Sequence, residues 1–207
     1  MDFPDHPFWD FSLALYAKPG VAESCLRLQD GLGLDVNLLL YACWTAARGG
    51  ERPSPDGWRR LVDETAVWRS QVVEPLRSVR RFLKDAEATP WSTGLRERVK
   101  ALELDAEHAE QLMVAARAGP GGAAPPGAQE PIRIGWNRLQ RSTNPVNRLD
   151  LYDAERIHAI DREDDQSRSA LATMLDYIGA LDVSPSDADR ADLSAIASQV
   201  AQNMAKM

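Results

Sequence analysis

One segment constrains the fold of this chain more than any other: residues 36–47, with the sequence VNLLLYACWTAA. Its residues are apolar on nearly every side of a helix, and a helix without a polar face is normally buried. Asp35 stands directly before it, where an aspartate side chain can cap the first turn. Gly49 and Gly50 follow the segment and are expected to end it. We therefore predict a central buried helix over Val36–Ala47.

The rest of the chain also has helical spacing, and no stretch shows the period of two that a sheet needs. Pro75 is expected in the first turn of its helix, and Ser92 is a candidate cap. We predict an all-α fold, an orthogonal helical bundle of about six helices with a two-helix C-terminal extension. The further segments with helical spacing lie at residues 8–18, 21–32, 58–68, 75–84 and 92–116.

Composition divides the chain into three parts. Residues 119–131 contain four Gly and four Pro and have the composition of a linker. We predict a helical core domain over residues 8–118 before it. After it, residues 132–207 would form a basic arm and two C-terminal helices, one at about 153–181 and one that begins at Ser184.

The charge distribution of the C-terminal part predicts a contact within the chain. Residues 131–148 hold four arginines and no acid, a net charge of +4, whereas residues 150–192 hold twelve acids and four arginines, a net charge of -8. Opposite charges attract, so we expect these two segments to contact one another.

Overall composition excludes several classes of protein. The chain has 24 Lys and Arg against 31 Asp and Glu, a net charge of -7, which argues against a nucleic-acid binder. It has no apolar stretch of about 18 residues and its first residues are acidic, so we expect a cytoplasmic protein without a membrane partner. Cys25 and Cys43 lie in apolar helical patterns and are predicted to be buried thiols.

The residues offer no recognisable catalytic or metal-binding set. His6, His108 and His158 are scattered, with no partner three or four residues away, and there is no GxSxG motif. The Gly-rich stretch lacks the Lys-Ser/Thr pair of a phosphate loop. We therefore assign no catalytic residue, no metal and no cofactor, and expect the chain not to be an enzyme.

Polar residues gather where the second and third predicted helices meet. Two carboxylates and two amides beside large aromatic rings could bind a small cationic or hydrogen-bonding ligand, or a side chain of a partner. The alternative is structural, because Asp35 can cap its helix while Gln29 and Asp30 bond backbone groups. The candidate binding residues in this cluster are Trp9, Gln29, Asp30, Asp35, Asn37 and Trp44.

Arginines cluster on the predicted helix at residues 75–84. Arg77, Arg80 and Arg81 lie at neighbouring helical positions and could bind carboxylates or phosphates of a partner. The alternative is a solvated face that pairs with Asp85, Glu87 or the acidic C-terminal helices.

A heptad pattern runs along the last helix of the predicted core. Its apolar positions suit packing inside a bundle or pairing with a second copy. A homodimer through residues 95–116 is therefore one hypothesis. The positions are Leu95, Val99, Leu102, Ala106, Ala109, Met113 and Ala116.

Three stretches of the chain resemble a known family. The first is FWDFSLALYAKPGVAESCLRLQDGLGLDVNLLLYACW, and WRSQVVEPLRSVRRFLK and LRERVKALELDAEHAEQL follow it. Over residues 8–115 the chain is similar to the proteobacterial family catalogued as domain of unknown function 2390. The resemblance implies a short helical cytoplasmic protein and supplies no catalytic residues.

We therefore predict a non-catalytic protein-interaction or regulatory module that contacts a protein partner through the polar cluster and the arginine face. The alternative is a binder of a small or apolar ligand, or an enzyme, that uses Asp30 and Asp35 at a helical cavity.

Overall fold

The computed structural model describes residues 3–85, 89–118 and 161–204, and within these ranges the chain forms helices and no strand. The predicted all-α class is confirmed. None of the helices in these ranges is long and apolar enough to cross a membrane. The helices are α1 (Pro7–Tyr16), α2 (Val21–Leu32), α3 (Val36–Ala47), α4 (Pro55–Trp68), α5 (Glu74–Asp85), α6 (Pro90–Ala118), α7 (Asp161–Ala180) and α8 (Asp187–Met204).

Helix α3 is the centre of the core, as its sequence predicts. Ten of its twelve residues are buried. The Asp35 side chain caps it by accepting a hydrogen bond of 2.8 Å from the backbone N–H of Asn37. Cys25 and Cys43 are buried free thiols, as predicted. The polar start of α3 is therefore fixed in place by an otherwise apolar core.

The C-terminal helices complete this core. Met174 and Tyr177 of α7 and Leu193 of α8 are fully buried in the same apolar cluster as α3. On the surface, Asp192 of α8 accepts hydrogen bonds of 2.9 Å from the Ser24 hydroxyl and from Nε of Arg27, both on α2. The basic arm at residues 131–148 lies outside the described residues, so its predicted contact with the acidic segment stays a prediction.

Pro75 is the second residue of α5 and so lies in its first turn, as predicted, but no break separates α5 from α4. The chain is helical without a break from Pro55 to Asp85, through a π-helical segment at Arg69–Val73 in which the N–H of Glu74 bonds to the carbonyl of Arg69. A proline inside a regular helix loses one hydrogen bond and clashes with a carbonyl four residues earlier. The wider turn directly before Pro75 accommodates it, as such bulges do within α-helices.

The start of α8 also differs from the prediction. Ser186, not Ser184, is the cap, and its hydroxyl and N–H both donate to the Asp189 carboxylate, at 2.6 and 2.8 Å. The N–H of Asp189 donates back to the Ser186 hydroxyl. Both serines have an aspartate three residues later, Asp187 and Asp189. The capping-box pattern therefore could not tell which serine is the cap.

The heptad positions on α6 divide into a buried and an exposed half. Ala106 and Ala109 are buried against Trp68 and Val73 of the long α4–α5 helix. Leu95 and Leu102 are about half exposed, at 48% and 54%. The buried half is therefore internal packing, while pairing of two copies through the exposed half stays a prediction.

Candidate functional site

Most of the predicted site residues line one cavity of about 360 Å³. Its walls come from α1, α2, α3, α5, α6 and the π-helical segment. The fold thus brings together residues that lie far apart along the chain. The predicted residues at its surface are Trp9, Gln29, Asp35, Asn37, Arg77, Arg80 and Arg81.

Two predicted site residues lie elsewhere. Asp30 is exposed and does not line the cavity. Trp44 packs against Phe8, with ring centroids 5.2 Å apart, and the guanidinium of Arg48 lies 4.5 Å from its ring centroid. The cavity therefore contains Asp35 without the second carboxylate that the sequence suggested.

The inner end of the cavity is a hydrogen-bonded network around the start of α3. The N–H of Asp35 donates to the hydroxyl of Tyr177 at 3.0 Å. Nδ2 of Asn37 donates to Glu110 Oε2 at 2.8 Å, and Nε2 of Gln111 donates to Asn37 Oδ1 at 2.9 Å. One N–H of each of these two amides therefore donates to a protein acceptor.

Among the described residues, four buried polar atoms on the cavity surface have no hydrogen-bond partner apart from the proton that Glu110 shares with Asp35. Their residues are between 1% and 6% exposed. The large majority of buried polar atoms in proteins have a partner, so a group of four at one cavity is unusual. The atoms are Ser12 Oγ, Asp35 Oδ2, Glu110 Oε1 and Gln111 Oε1.

Glu110 holds a proton at neutral pH. Burial, the negative charge of Asp35 and a hydrogen bond between the two side chains raise its pKa from 4.5 to about 9, against the opposing effects of Asn37 and Arg69. The guanidinium of Arg69 lies 3.9 Å from Asp35 Oδ2. Burial also raises the pKa of Tyr177, which stays neutral. Asp35 and Arg69, which also pairs with Glu74 at 3.2 Å, are thus the charged groups of this end, and the Glu110 proton lies between two carboxyls.

The outer end carries ion pairs between α5 and α6. Arg77 donates to Glu107 at 2.8 Å, to Glu103 at 3.2 Å and to the side-chain oxygen of Gln29 at 2.7 Å. Arg80 also binds Glu103. Within the described residues Arg77 and Arg80 therefore pair with α6, and Glu87, one of the partners predicted for them, lies outside these residues.

The pKa values of Glu103 and Glu107 shift in opposite directions. Burial opposes ionisation of Glu103, but the hydrogen bonds from Arg80 and Arg77 outweigh it, so its pKa is lowered. Burial dominates at Glu107 and raises its pKa despite Arg77. Glu103 is therefore the main carboxylate partner of the arginines in the outer ion pairs.

Arg81 and Lys100 add positive charge to the cavity wall. Both side chains belong to exposed residues, and neither forms an ion pair with a carboxylate in the part of the chain described. An exposed cation next to an apolar wall can contact an anionic group of a ligand.

The remaining wall is apolar and open to solvent. Leu13, Leu26 and Leu104 all line the cavity and are among the exposed large hydrophobic residues of the chain. The ring of Trp9 lies flat on the ring of His108, with centroids 4.1 Å apart. Ligand sites combine an apolar wall of this kind with a few fixed polar groups.

Sequence reasoning missed most of the acidic side of the site. Glu103, Glu107 and Glu110 recur at helical spacing, and this was the available signal. The apolar heptad on the same helix is the stronger pattern, and it predicts packing in the bundle or pairing of two copies at other positions. Arg69 was missed because it lies in the π-helical segment, which no sequence pattern indicated.

A family model described as a protein of unknown function, DUF2390, matches residues 7–114. The match covers α1 to α5 and most of α6, and so every residue named here as lining the cavity. No curated protein and no solved structure matches the chain. With its helical fold and a match over half of its length, the chain belongs to the DUF2390 family.

Proposed function

We propose that this protein binds a small organic molecule in the cavity between α1, α3 and α6. The observation that carries the proposal is the buried polar surface of this cavity: within the described residues, Ser12 Oγ and Gln111 Oε1 have no hydrogen-bond partner, and Asp35 Oδ2 and Glu110 Oε1 have only the proton that their carboxyls share. Burying a polar atom without a partner costs free energy, and a bound ligand removes that cost by hydrogen bonding. A cavity of about 360 Å³ is also within the usual range of ligand sites.

The walls indicate a ligand with distinct ends. The inner end has hydrogen-bond acceptors, leucines line a wall that is open to solvent, and the outer end carries cations. An amphipathic molecule would satisfy all three regions at once. This supports the alternative of the sequence analysis, a ligand binder, with Asp35 as one of its binding residues and without Asp30.

The test is a thermal-shift screen of purified protein against a library of small metabolites, with two matched variants. Leu13→Trp narrows the cavity from its exposed rim, whereas Val67→Trp adds the same ring to an exposed position on α4 that is not part of the cavity. We expect compounds that raise the melting temperature of the wild type and of Val67→Trp, but not of Leu13→Trp. Equal shifts in all three proteins would contradict binding in this cavity.

A different surface supports a protein partner, the leading hypothesis from the sequence. Phe82, near the end of α5, is 72% exposed, and Trp91, at the start of α6, is 80% exposed. Large aromatic residues are enriched in protein interfaces, so this hairpin end is the candidate contact surface. A partner recovered by the wild type and lost in the Phe82→Ser/Trp91→Ser variant would support it, and equal recovery by both proteins would contradict it.

A further inference from the structure

We infer that the ligand of the cavity carries a protonated amine, which binds between Asp35 and Glu110 and replaces the proton that these two carboxyls share. The inference rests on the proposed function, because it assigns the chemical class of the ligand that the same cavity binds. It goes further in predicting that binding releases a proton to solvent.

The acceptor atoms at the inner end of the cavity favour a ligand group that donates hydrogen bonds. Three of the four buried polar atoms, Asp35 Oδ2, Glu110 Oε1 and Gln111 Oε1, are carboxyl or amide oxygens. The backbone N–H of Asn37, one side-chain N–H of Asn37 and one of Gln111 already donate to protein acceptors. An alkylammonium offers three N–H donors and no acceptor, which matches these three oxygens once the shared proton has left. A hydroxyl offers one donor, and a carboxylate offers none.

The net charge of the inner end is the same before and after the ammonium of the ligand replaces the shared proton. Before binding, the Asp35 carboxylate faces the Arg69 guanidinium, and Glu110 is neutral. After binding, the ammonium of the ligand balances the ionised Glu110. Buried charges are tolerated when they are paired, so the bound state satisfies the same condition as the free one.

Glu110 is the group whose protonation changes. Tyr177, from α7, is neutral, and Arg69, from the π-helical segment, is positively charged in both states. Glu107 lies on the same helix as Glu110 but is paired with Arg77 at the outer end. Asp35 already accepts the N–H of Asn37 and faces Arg69. The remaining titratable proton at this end is therefore that of Glu110.

The proton balance gives the pH dependence. In the free protein the O–H bond of Glu110 is intact; on binding it breaks, the proton goes to solvent, and the ammonium keeps its own protons. Because Glu110 is protonated up to about pH 9, the affinity for an amine should rise about tenfold per pH unit from neutral pH upwards. The slope should flatten as the pH approaches that value.

The experiment uses three probes with one carbon skeleton: phenylpropylamine, phenylpropanol and phenylpropanoate. Isothermal titration calorimetry gives each dissociation constant, and buffers of different ionisation enthalpy give the number of protons released. We expect the amine to bind with a Kd below about 1 mM, the alcohol to bind about tenfold more weakly, and the acid not to bind. One proton should be released per amine.

Glu110→Gln is the decisive variant, because a glutamine cannot exchange a proton. It should lose the pH slope and weaken amine binding about tenfold or more. Glu97→Gln, an exposed position on the same helix, is the control and should behave as the wild type. A melting curve of each variant shows that it is folded.

The outcomes separate the two proposals. If the alcohol or the acid binds as tightly as the amine and Leu13→Trp abolishes that binding, the cavity binds ligands and the amine assignment is overturned. If the amine binds equally to Leu13→Trp, the cavity is not its site and both proposals fail. Absence of amine binding below about 1 mM also overturns the amine assignment, while the metabolite screen still tests the cavity.

Discussion

Replacing the buried acid of the cavity by its amide should stabilise this protein. In Glu110→Gln the new amide oxygen can accept from Asn37 Nδ2 as the carboxyl does now, and the new N–H can donate to Asp35 as the shared proton does now. The shape and the hydrogen bonds of the folded state are therefore kept. What changes is the unfolded state, in which a glutamate is ionised at neutral pH and a glutamine is not.

The size of the effect follows from the pKa of Glu110. Its folded pKa, about 9, lies above the unfolded value of 4.5, so between these values the folded state binds the extra proton. Stability from this group is complete below pH 4.5 and falls as the pH rises toward 9. One pKa unit corresponds to 1.36 kcal/mol, so about 2.5 units at pH 7 cost about 3 kcal/mol. Glu110→Gln should be more stable than the wild type by this amount, or roughly 6–12 °C in Tm.

Urea unfolding at several pH values, from about pH 5 to about pH 8, measures the difference. The variant and the wild type should differ by less than about 1 kcal/mol at the acidic end, and the gap should grow with pH by somewhat more than 1 kcal/mol per unit. Glu97→Gln, whose side chain is exposed, should show a difference near zero throughout. A less stable Glu110→Gln at pH 7, or a gap that does not depend on pH, would refute the reasoning.

Three further predictions follow from packing and backbone geometry. Gly33→Ala should lower the free energy of unfolding by about 1 kcal/mol because Gly33 has a φ of +69°. Gly94→Ala should raise it by about 0.5–1 kcal/mol, since Gly94 lies inside α6 and no heavy atom lies within 4 Å of the new Cβ. Urea unfolding measures both changes, and two changes of the same sign would contradict the reasoning. Asp192→Ala should lower the free energy of unfolding by about 1 kcal/mol because the buried Ser24 hydroxyl of α2 loses its acceptor on α8, and a loss below about 0.5 kcal/mol in the same assay would show that this contact is not stabilising. Leu102→Asp should change stability by less than about 0.5 kcal/mol, since the side chain is 54% exposed; light scattering should show the wild type as a dimer and the variant as a monomer if α6 pairs two copies, and a monomer in both would contradict pairing.

The fold was predictable where local signals agree. Helix α3 is apolar on nearly every side and has its cap at Asp35, so its position and burial follow from thirteen consecutive residues. The π-helical segment before Pro75 was not predictable in this way. Its wide turn depends on the continuous packing of the long helix against α6, where Nε1 of Trp68 donates to the carbonyl of Ala106 at 3.0 Å.

Part of the site was predictable because the polar cluster lies at one helix junction. Gln29 and Asp30 nevertheless separate, since neighbouring residues on a helix point about 100° apart, and the Gln29 side faces the cavity. Trp44 lies two turns beyond Asn37 on α3, about 10 Å further along the axis. Helical geometry alone could have made this distinction, had the direction of the cavity been known.

The acidic residues of α6 were beyond sequence reasoning for a different reason. Leu102 is half exposed while its neighbour Glu103 is buried, which reverses the usual preference of the two side chains. The reversal depends on Arg77 and Arg80, which are more than twenty residues away along the chain. Glu110 depends on Asn37, 73 residues away. A partner at such a distance is specified by the tertiary fold and by no local pattern.

The π-helical segment also sets the direction in which the arginines of the long helix point. In a regular α-helix each residue turns the chain by about 100°, so the eight steps from Arg69 to Arg77 would leave their side chains about 80° apart around the axis. The hydrogen bond from Glu74 to Arg69 spans one residue more than an α-helical bond, which absorbs one step. The two arginines then differ by only about 20°, and both line the cavity. The single added residue therefore rotates the second half of the long helix, so that its arginines face the same cavity wall as Arg69.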